Sequence, residues 1–276
     1  MNKMERIIIL IFTLIINLLC AQTNRFIYVL EIKSAEQPVK MNMVLDIDKD
    51  FTKFYDYDFL RNDSISKKTG QNWQSNTQSD QLILRKTNSN ENKAFHDNMF
   101  DYFMTESKDE MNWKIVNETK KSAEYTLQKA TTNFGGRKWT AWFCSAIPFQ
   151  EGPYKFRGLP GLIFELQDDK ADYSYTLSRS INLPETFSTT SFLETHYGNQ
   201  PVKVSLKQFQ KVKLDYYSDP TADMKNALKN GGTVMISGEK ITSLEQLDQK
   251  RKFLQKDIVN NYWPVELDKA IPYPKN

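Results

Sequence analysis

The chain has 276 residues, 39% of them hydrophobic and 13% aromatic, with a formal charge of +3. That length allows a sizeable core without staples, and so small a charge excludes a basic field for nucleic acid or an anionic membrane. Two histidines and two cysteines leave little material for a metal centre or a disulfide framework.

The first 21 residues read as a signal peptide. Lys3 and Arg6 are basic, Ile7 to Leu19 is almost wholly apolar, and Ala21-Gln22 follows. The apolar run is short for a membrane span. Cleavage after Ala21 is the expected processing. Lipidation at Cys20 is the alternative, disfavoured by the bulky Leu19 before it, and a retained anchor is the third reading. Cleavage leaves Cys144 as the only cysteine, so no internal disulfide is expected, and no transmembrane segment remains. The expected location is the periplasm or the extracellular space.

Residues 22–183 read mostly as strands. Phe26 to Ile32 is a β-rich run, and Met41, Met43, Leu45 and Ile47 alternate with their neighbours. A turn at Asp48-Lys49-Asp50 leads into Thr52 to Tyr57, so an antiparallel meander is predicted. Residues Arg61 to Asp80 are polar and read as a long loop with at most one helical turn. Further strands are predicted at Gln81 to Lys86, Met99 to Met104 and Trp113 to Val116. Gly135-Gly136 between Tyr125–Phe134 and Arg137–Cys144 is a direct hairpin signal. A second hairpin joins Leu162–Leu166 to Tyr173–Ile181.

Residues 184–276 read as helix-rich. Leu206, Phe209 and Val212 recur at helical spacing. Asp219-Pro220 resembles an N-cap with proline at the first helical position, and Gly231 is the stop. Ser243-Leu244-Glu245-Gln246 is a capping box, with Leu247, Phe253, Leu254 and Ile258 on the predicted buried face. The expected fold is therefore α+β and mainly β. It is a large antiparallel sheet, curved as a half-barrel, with helices grouped in the C-terminal third. Residues 22–276 are read as a single domain.

Gly152 to Leu166 is the most informative stretch. Leu159-Pro160-Gly161-Leu162 fits a type II turn, with proline presetting φ and Gly161 accepting a positive φ. Gly158-Leu159-Pro160-Gly161-Leu162-Ile163 resembles the motif of the GLPGLI family of exported bacterial proteins, letter for letter. The resemblance takes in Phe134-Gly135-Gly136-Arg137, Ala141-Trp142-Phe143, Ile147-Pro148 and Gly152 to Phe156. It also includes Asn261 to Leu267, which is similar to that family's Asn-Pro-Ile-Glu-Leu with two aromatics inserted. The resemblance implies a fold and an exported compartment, but no reaction. Where the family often has a cysteine before the Gly-Arg turn, this chain has Leu127.

Candidate chemistry is sparse. His96 and His196 are far apart and lack ligand spacing. No Gly-x-Ser-x-Gly elbow exists, and Cys144 shows no companion base. No catalytic residue, metal ligand or cofactor is assigned. Glu165, with Asp168, Asp169 and Asp172 nearby, allows acid-base work or a solvated outer face. Arg137, Tyr154, Lys155, Phe156 and Arg157 combine cations with aromatics, so they suit a ligand or partner site or a rigid packed loop. In an extended segment, the cations and aromatics of 154–157 would project to opposite sides. The leading expectation is an exported, non-enzymatic binding or envelope-accessory protein, with the motif loop at its site. The partner would be an apolar small molecule, an envelope glycan or an envelope protein. The alternative is a hydrolase using carboxylates near Glu165.

Overall fold

A computed structural model describes residues 22–34, 37–98, 101–236 and 238–274. The expected signal segment, including Cys20, lies outside the described residues, and so does Met99 at the start of one expected strand. Two compact units divide the chain, one ending at Lys203 and one starting at Val204.

The first unit holds a twelve-stranded sheet. In chain order it comprises β1 (Thr23–Ile32), β2 (Val39–Ile47), β3 (Phe51–Asp56), β4 (Leu82–Lys86), β5 (Glu91–Asn98) and β6 (Asp101–Lys108). Then come β7 (Lys114–Ser122), β8 (Tyr125–Phe134), β9 (Arg137–Cys144), β10 (Leu162–Asp168), β11 (Tyr173–Leu183) and β12 (Val202–Lys203). The spatial order is β12-β6-β5-β4-β3-β2-β1-β11-β10-β9-β8-β7, so two meanders meet where β1 pairs with β11. Every pair is antiparallel except β12 with β6. The edges β12 and β7 stay apart, and the sheet is not closed into a barrel.

The sheet curls strongly. Phe54 on β3 and Tyr175 on β11 are three strand spacings apart, about 14 Å in a flat sheet, yet their ring centroids are 6.4 Å apart. Tyr175 also donates its hydroxyl to Gln81 at the mouth of β4, at 2.8 Å. One face is therefore concave, and it carries Tyr28, Phe54, Trp139, Tyr173 and Tyr175, all buried.

The convex face is apolar over part of its area. Val44, Tyr55, Leu82, Phe95 and Tyr102 form a cluster there with Phe59, Phe192 and Leu193. Phe59 comes from α1 (Tyr57–Thr69). The loop expected over Arg61 to Asp80 is thus a correction, because thirteen of the residues from Tyr57 onward are helical. Its composition is polar, but burial of Phe59 and Asn62 holds it, and Gly70 ends it at φ 70°. Residues after Gly70 are pinned by Asp56, which accepts hydrogen bonds from Thr77 Oγ1 and Gln78 N at 2.7 Å and from Ser79 Oγ. Nearby, Arg25 donates twice to Asp46 at 2.7 Å, with Tyr55 donating to the same carboxylate.

The second unit contains α2 (Leu206–Ser218), α3 (Ala222–Lys229), α4 (Leu244–Asn260) and a hairpin of β13 (Val234–Ile236) with β14 (Glu239–Ile241). Ser243 and Gln246 form the expected capping box, and Ser205 with Gln208 forms another. Helix α3 starts later than expected, with Thr221 as N-cap and Asp219 accepting from the Thr221 amide and hydroxyl. Of the four residues expected on the buried face of α4, only Leu247 is buried, packing with Val234, Ile236 and Ile241. Phe253 is 59% exposed.

Candidate functional site

The segment between β9 and β10 carries the motif and lies on the concave face. Backbone hydrogen bonds fold it on itself: Gly158 N to Gln150 O at 2.9 Å, Leu162 N to Ile147 O at 3.0 Å and Ile163 N to Glu151 O at 3.0 Å. Phe156 is fully buried, with its ring centroid 4.7 Å from Trp139 and 5.2 Å from Phe134. Phe149 meets Phe26 edge-on at 5.6 Å. Tyr28 donates to the Ile163 carbonyl at 2.6 Å. The loop therefore fills the curl, supplying the apolar filling and hydrogen bonds that the concave face needs.

The turn in the motif differs from the type II expectation. Gly161 N bonds Leu159 O at 2.8 Å, closing a three-residue γ-turn centred on Pro160, while the Leu162 amide goes to Ile147. Glycine is required at 161 for a second reason: a Cβ would collide with the Cys144 carbonyl. Gly152 is similarly constrained, because a Cβ there would come within 2.7 Å of Ile163 Cδ1.

Tyr154, Lys155 and Phe156 are buried and Arg157 is nearly so. Segment 154–157 is not extended. Tyr154 has φ 56°, and the Phe156 amide closes a turn on Pro153 O at 3.1 Å. Cations and aromatics therefore do not separate onto two sides. Arg137 lies apart from this segment. Its Nη1 donates to Asp168 at 2.7 Å and Asp172 at 2.9 Å, and its guanidinium lies 5.1 Å from the centre of the Tyr173 ring. It anchors the β10–β11 turn.

The cations of the loop instead reach across to β4, β5 and β6. Arg85 on β4 donates to Glu151 and, at 3.3 Å, to the Tyr154 carbonyl. Arg157 Nε lies 3.3 Å from Glu151 Oε1 and its Nη1 donates to Asn90. Lys155 Nζ lies 3.4 Å from Asp109 and 3.2 Å from Ser107 Oγ. Asn92 on β5 and Ser107 on β6 also bond to Asp109. Burial lowers the pKa of Arg85, and the Glu151 charge opposes that shift. Such pairing is what keeps charges tolerable inside a fold. Sequence reasoning chose Lys155 and Arg157 but missed Arg85, Asp109 and Glu151, because the contacts that join the loop to the strands, Arg85 with Glu151 and Lys155 with Asp109, span more than 40 residues.

The other sequence candidates are scattered. Glu165 lies on the convex face, paired with Lys120 at 2.5 Å, and Lys120 also sits 4.5 Å from the centre of the Trp142 ring. Trp139 and Trp142 are three residues apart on β9, so they point to opposite faces of the sheet. His96 bonds Asp80 at 2.9 Å and Thr105 at 3.1 Å, whereas His196 stacks on Tyr102 at 4.9 Å and bonds the Ser75 carbonyl. Cys144 is a buried free thiol. Among the described residues, no three His, Cys, Asp or Glu side chains gather to hold a metal ion.

A trough of about 390 Å³ opens on the convex face of β3 to β6. Register defines its lining. Phe51 stands opposite Lys86, and Leu84 stands opposite Lys93, which in turn faces Glu106. Arg85, Asn92 and Ser107 alternate with these residues on the same strands, so their side chains lie on the concave side. The motif loop therefore braces, from behind, the three strands that carry most of the trough. Strand β5 was not predicted from the sequence, because its inward Asn92 and Ala94 give no apolar alternation.

The matched family is consistent with this geography. Residues 135–165 match a family described as "Protein of unknown function (Porph_ging)". That span covers the β8–β9 turn, β9, the motif loop and the start of β10. Two crystal structures of PNGF-II, in space groups C2 and P21, are similar in fold, with TM-scores of 0.50 and 0.51 and 14% sequence identity. The likeness covers 69% and 70% of this chain but only 32% and 33% of PNGF-II. No curated protein matches. Among the described residues, no helix is long and apolar enough to cross a membrane.

Proposed function

We propose that this is an exported binding protein of the cell envelope, related to the GLPGLI proteins, that carries a small molecule on the convex trough. The observation that carries the reading is the brace. Arg85, Asn92 and Ser107 tie β4, β5 and β6 to Glu151, Lys155 and Asp109, directly beneath Leu84, Lys93 and Glu106. A binding surface works best on strands whose geometry is set before the ligand arrives. Its volume is in the range of small-molecule sites. In this reading Lys155 and Arg157 serve the site from behind, with Tyr154 and Phe156 seating them, while Arg137 fixes the next hairpin. Export rests on the basic, apolar and small-residue pattern of the first 21 residues.

The test is recovery of ligand from envelope extract. Wild type and the trough variant Phe51→Ser with Leu84→Ser are incubated with extract, repurified and examined by native mass spectrometry. Wild type should retain a small-molecule adduct that the variant loses while its thermal midpoint still shows a cooperative fold. Equal loading of both proteins, or none on either, overturns the proposal.

A further inference from the structure

We infer that the trough takes a single-chain amphiphile with an anionic head, the head between Lys86 and Lys93 and the chain on Phe51 and Leu84; this rests on the binding role proposed for the trough.

Two rows of side chains cross the strands. One runs Phe51, Lys86, Glu91, Lys108, and the next runs Lys53, Leu84, Lys93, Glu106. The first row begins on β3 with apolar Phe51 and the second has apolar Leu84 on β4 beside the buried Lys53; both continue into charge. Phe51 is 37% exposed, unusual for a phenylalanine in a strand, and Leu84 is half-buried at the edge of the convex core cluster. Together they offer an apolar floor that extends the core outward.

The charges are unequally occupied. Glu106 is paired with Lys203 at 2.7 Å, and Lys108 reaches Glu110 at 3.6 Å. Lys53 is buried and bound to Asp48 and the Phe187 carbonyl. Lys86 and Lys93 remain exposed, and neither makes a close ion pair among the described residues, although the Lys93 charge acts on Glu106 opposite it. They occupy diagonal positions on adjacent strands, Lys93 in Leu84's row and Lys86 in the row of Phe51. An ammonium pair beside an apolar floor matches a carboxylate or phosphate attached to a hydrocarbon chain.

The same geometry disfavours a neutral sugar. Asn92 and Ser107, the amide and hydroxyl of this region, face the concave side and are bonded to Asp109. The Ser89 hydroxyl is taken by the Glu91 amide. Beside its hydrocarbon the trough presents charge, Lys86, Lys93 and Lys108 with Glu91 and Glu106, of which Glu106 is held by Lys203.

The experiment is calorimetric titration of the mature protein with dodecanoate, dodecyl phosphate and neutral dodecyl maltoside, each below its aggregation concentration. Wild type should bind at least one of the two anions about tenfold more tightly than the neutral amphiphile. Lys86→Glu with Lys93→Glu should lose that preference, and its unchanged thermal midpoint would show that folding is not the cause. Binding of dodecanoate alone points to a fatty acid, and of dodecyl phosphate alone to a lysophospholipid; either supports the inference. Equal binding of all three by wild type and variant overturns anion recognition but leaves the trough as a binding site. Failure of all three, with an extract-derived adduct still lost in the Phe51→Ser and Leu84→Ser variant, overturns the ligand class alone. Failure of all three without such an adduct overturns both readings.

Discussion

The α-carbon of Gly161 lies against the carbonyl of Cys144, the last residue of β9, so that a side chain of any size would strike backbone. Glycine is present there because two main chains touch, and the γ-turn at Pro160 brings them together. Replacing Gly161 with alanine should therefore destabilise the fold by about 3 kcal/mol, the upper part of the usual cost of overpacking. Urea unfolding measures it. A midpoint equal to wild type would mean that β9 and β10 separate there without penalty.

Glu151 is the shared acceptor of Arg85 and Arg157. Substituting Glu151→Gln leaves the wholly buried Arg85 without its counter-charge and should cost about 3 kcal/mol. The double variant Arg85→Met with Glu151→Met removes both charges and should recover part of that loss. Equal destabilisation by the single and double variants would show that shape, rather than charge pairing, sets the cost.

Asp56 gives a pH dependence of definite sign. Burial raises its pKa, against the hydrogen bonds from Ser79, Thr77 and Gln78, which lower it. Its native pKa thus exceeds its unfolded value. As pH falls through the native pKa toward the unfolded one, the folded state binds a proton that the unfolded state does not, so this group's contribution to stability rises. Above the native pKa both states are ionised, and the burial penalty is then complete. Relative to Asp56→Asn, wild type should gain stability between neutral and mildly acidic pH in chemical denaturation. A constant difference across that window would contradict the raised pKa.

Processing is tested independently of the fold. Exported protein should begin at Gln22, and intact mass spectrometry reads this directly. A lipid adduct on Cys20, or retention of Met1 in exported material, would refute cleavage after Ala21.

Much of the architecture was legible because it depends on neighbours in the chain. Gly135 and Gly136, at φ 62° and 74°, close the hairpin between Tyr125–Phe134 and Arg137–Cys144 with the bounds predicted from the Gly-Gly signal. Ser243 and Gln246 cap their helix by bonds that span three residues. Alternation along β2 announced its apolar faces. Local periodicity failed for α1, whose few apolar residues pack on distant ones, Phe59 against Phe192 and Tyr197. It failed also for β5, whose inward Asn92 is polar because Asp109 waits opposite it.

The candidate site shows the same division. Composition and turn chemistry alone identified 152–166 as a rigid, unusual segment and placed cations in it. Whether those cations faced water or protein depended on the curl of the sheet, which sets β4 against the motif loop across 66 residues of sequence between Arg85 and Glu151. Strand alternation then put Leu84 and Lys93 on the opposite surface from Arg85 and Asn92. A side chain's alternation tells which of two faces it occupies, and only tertiary packing decides which face is filled by the chain itself and which is left open.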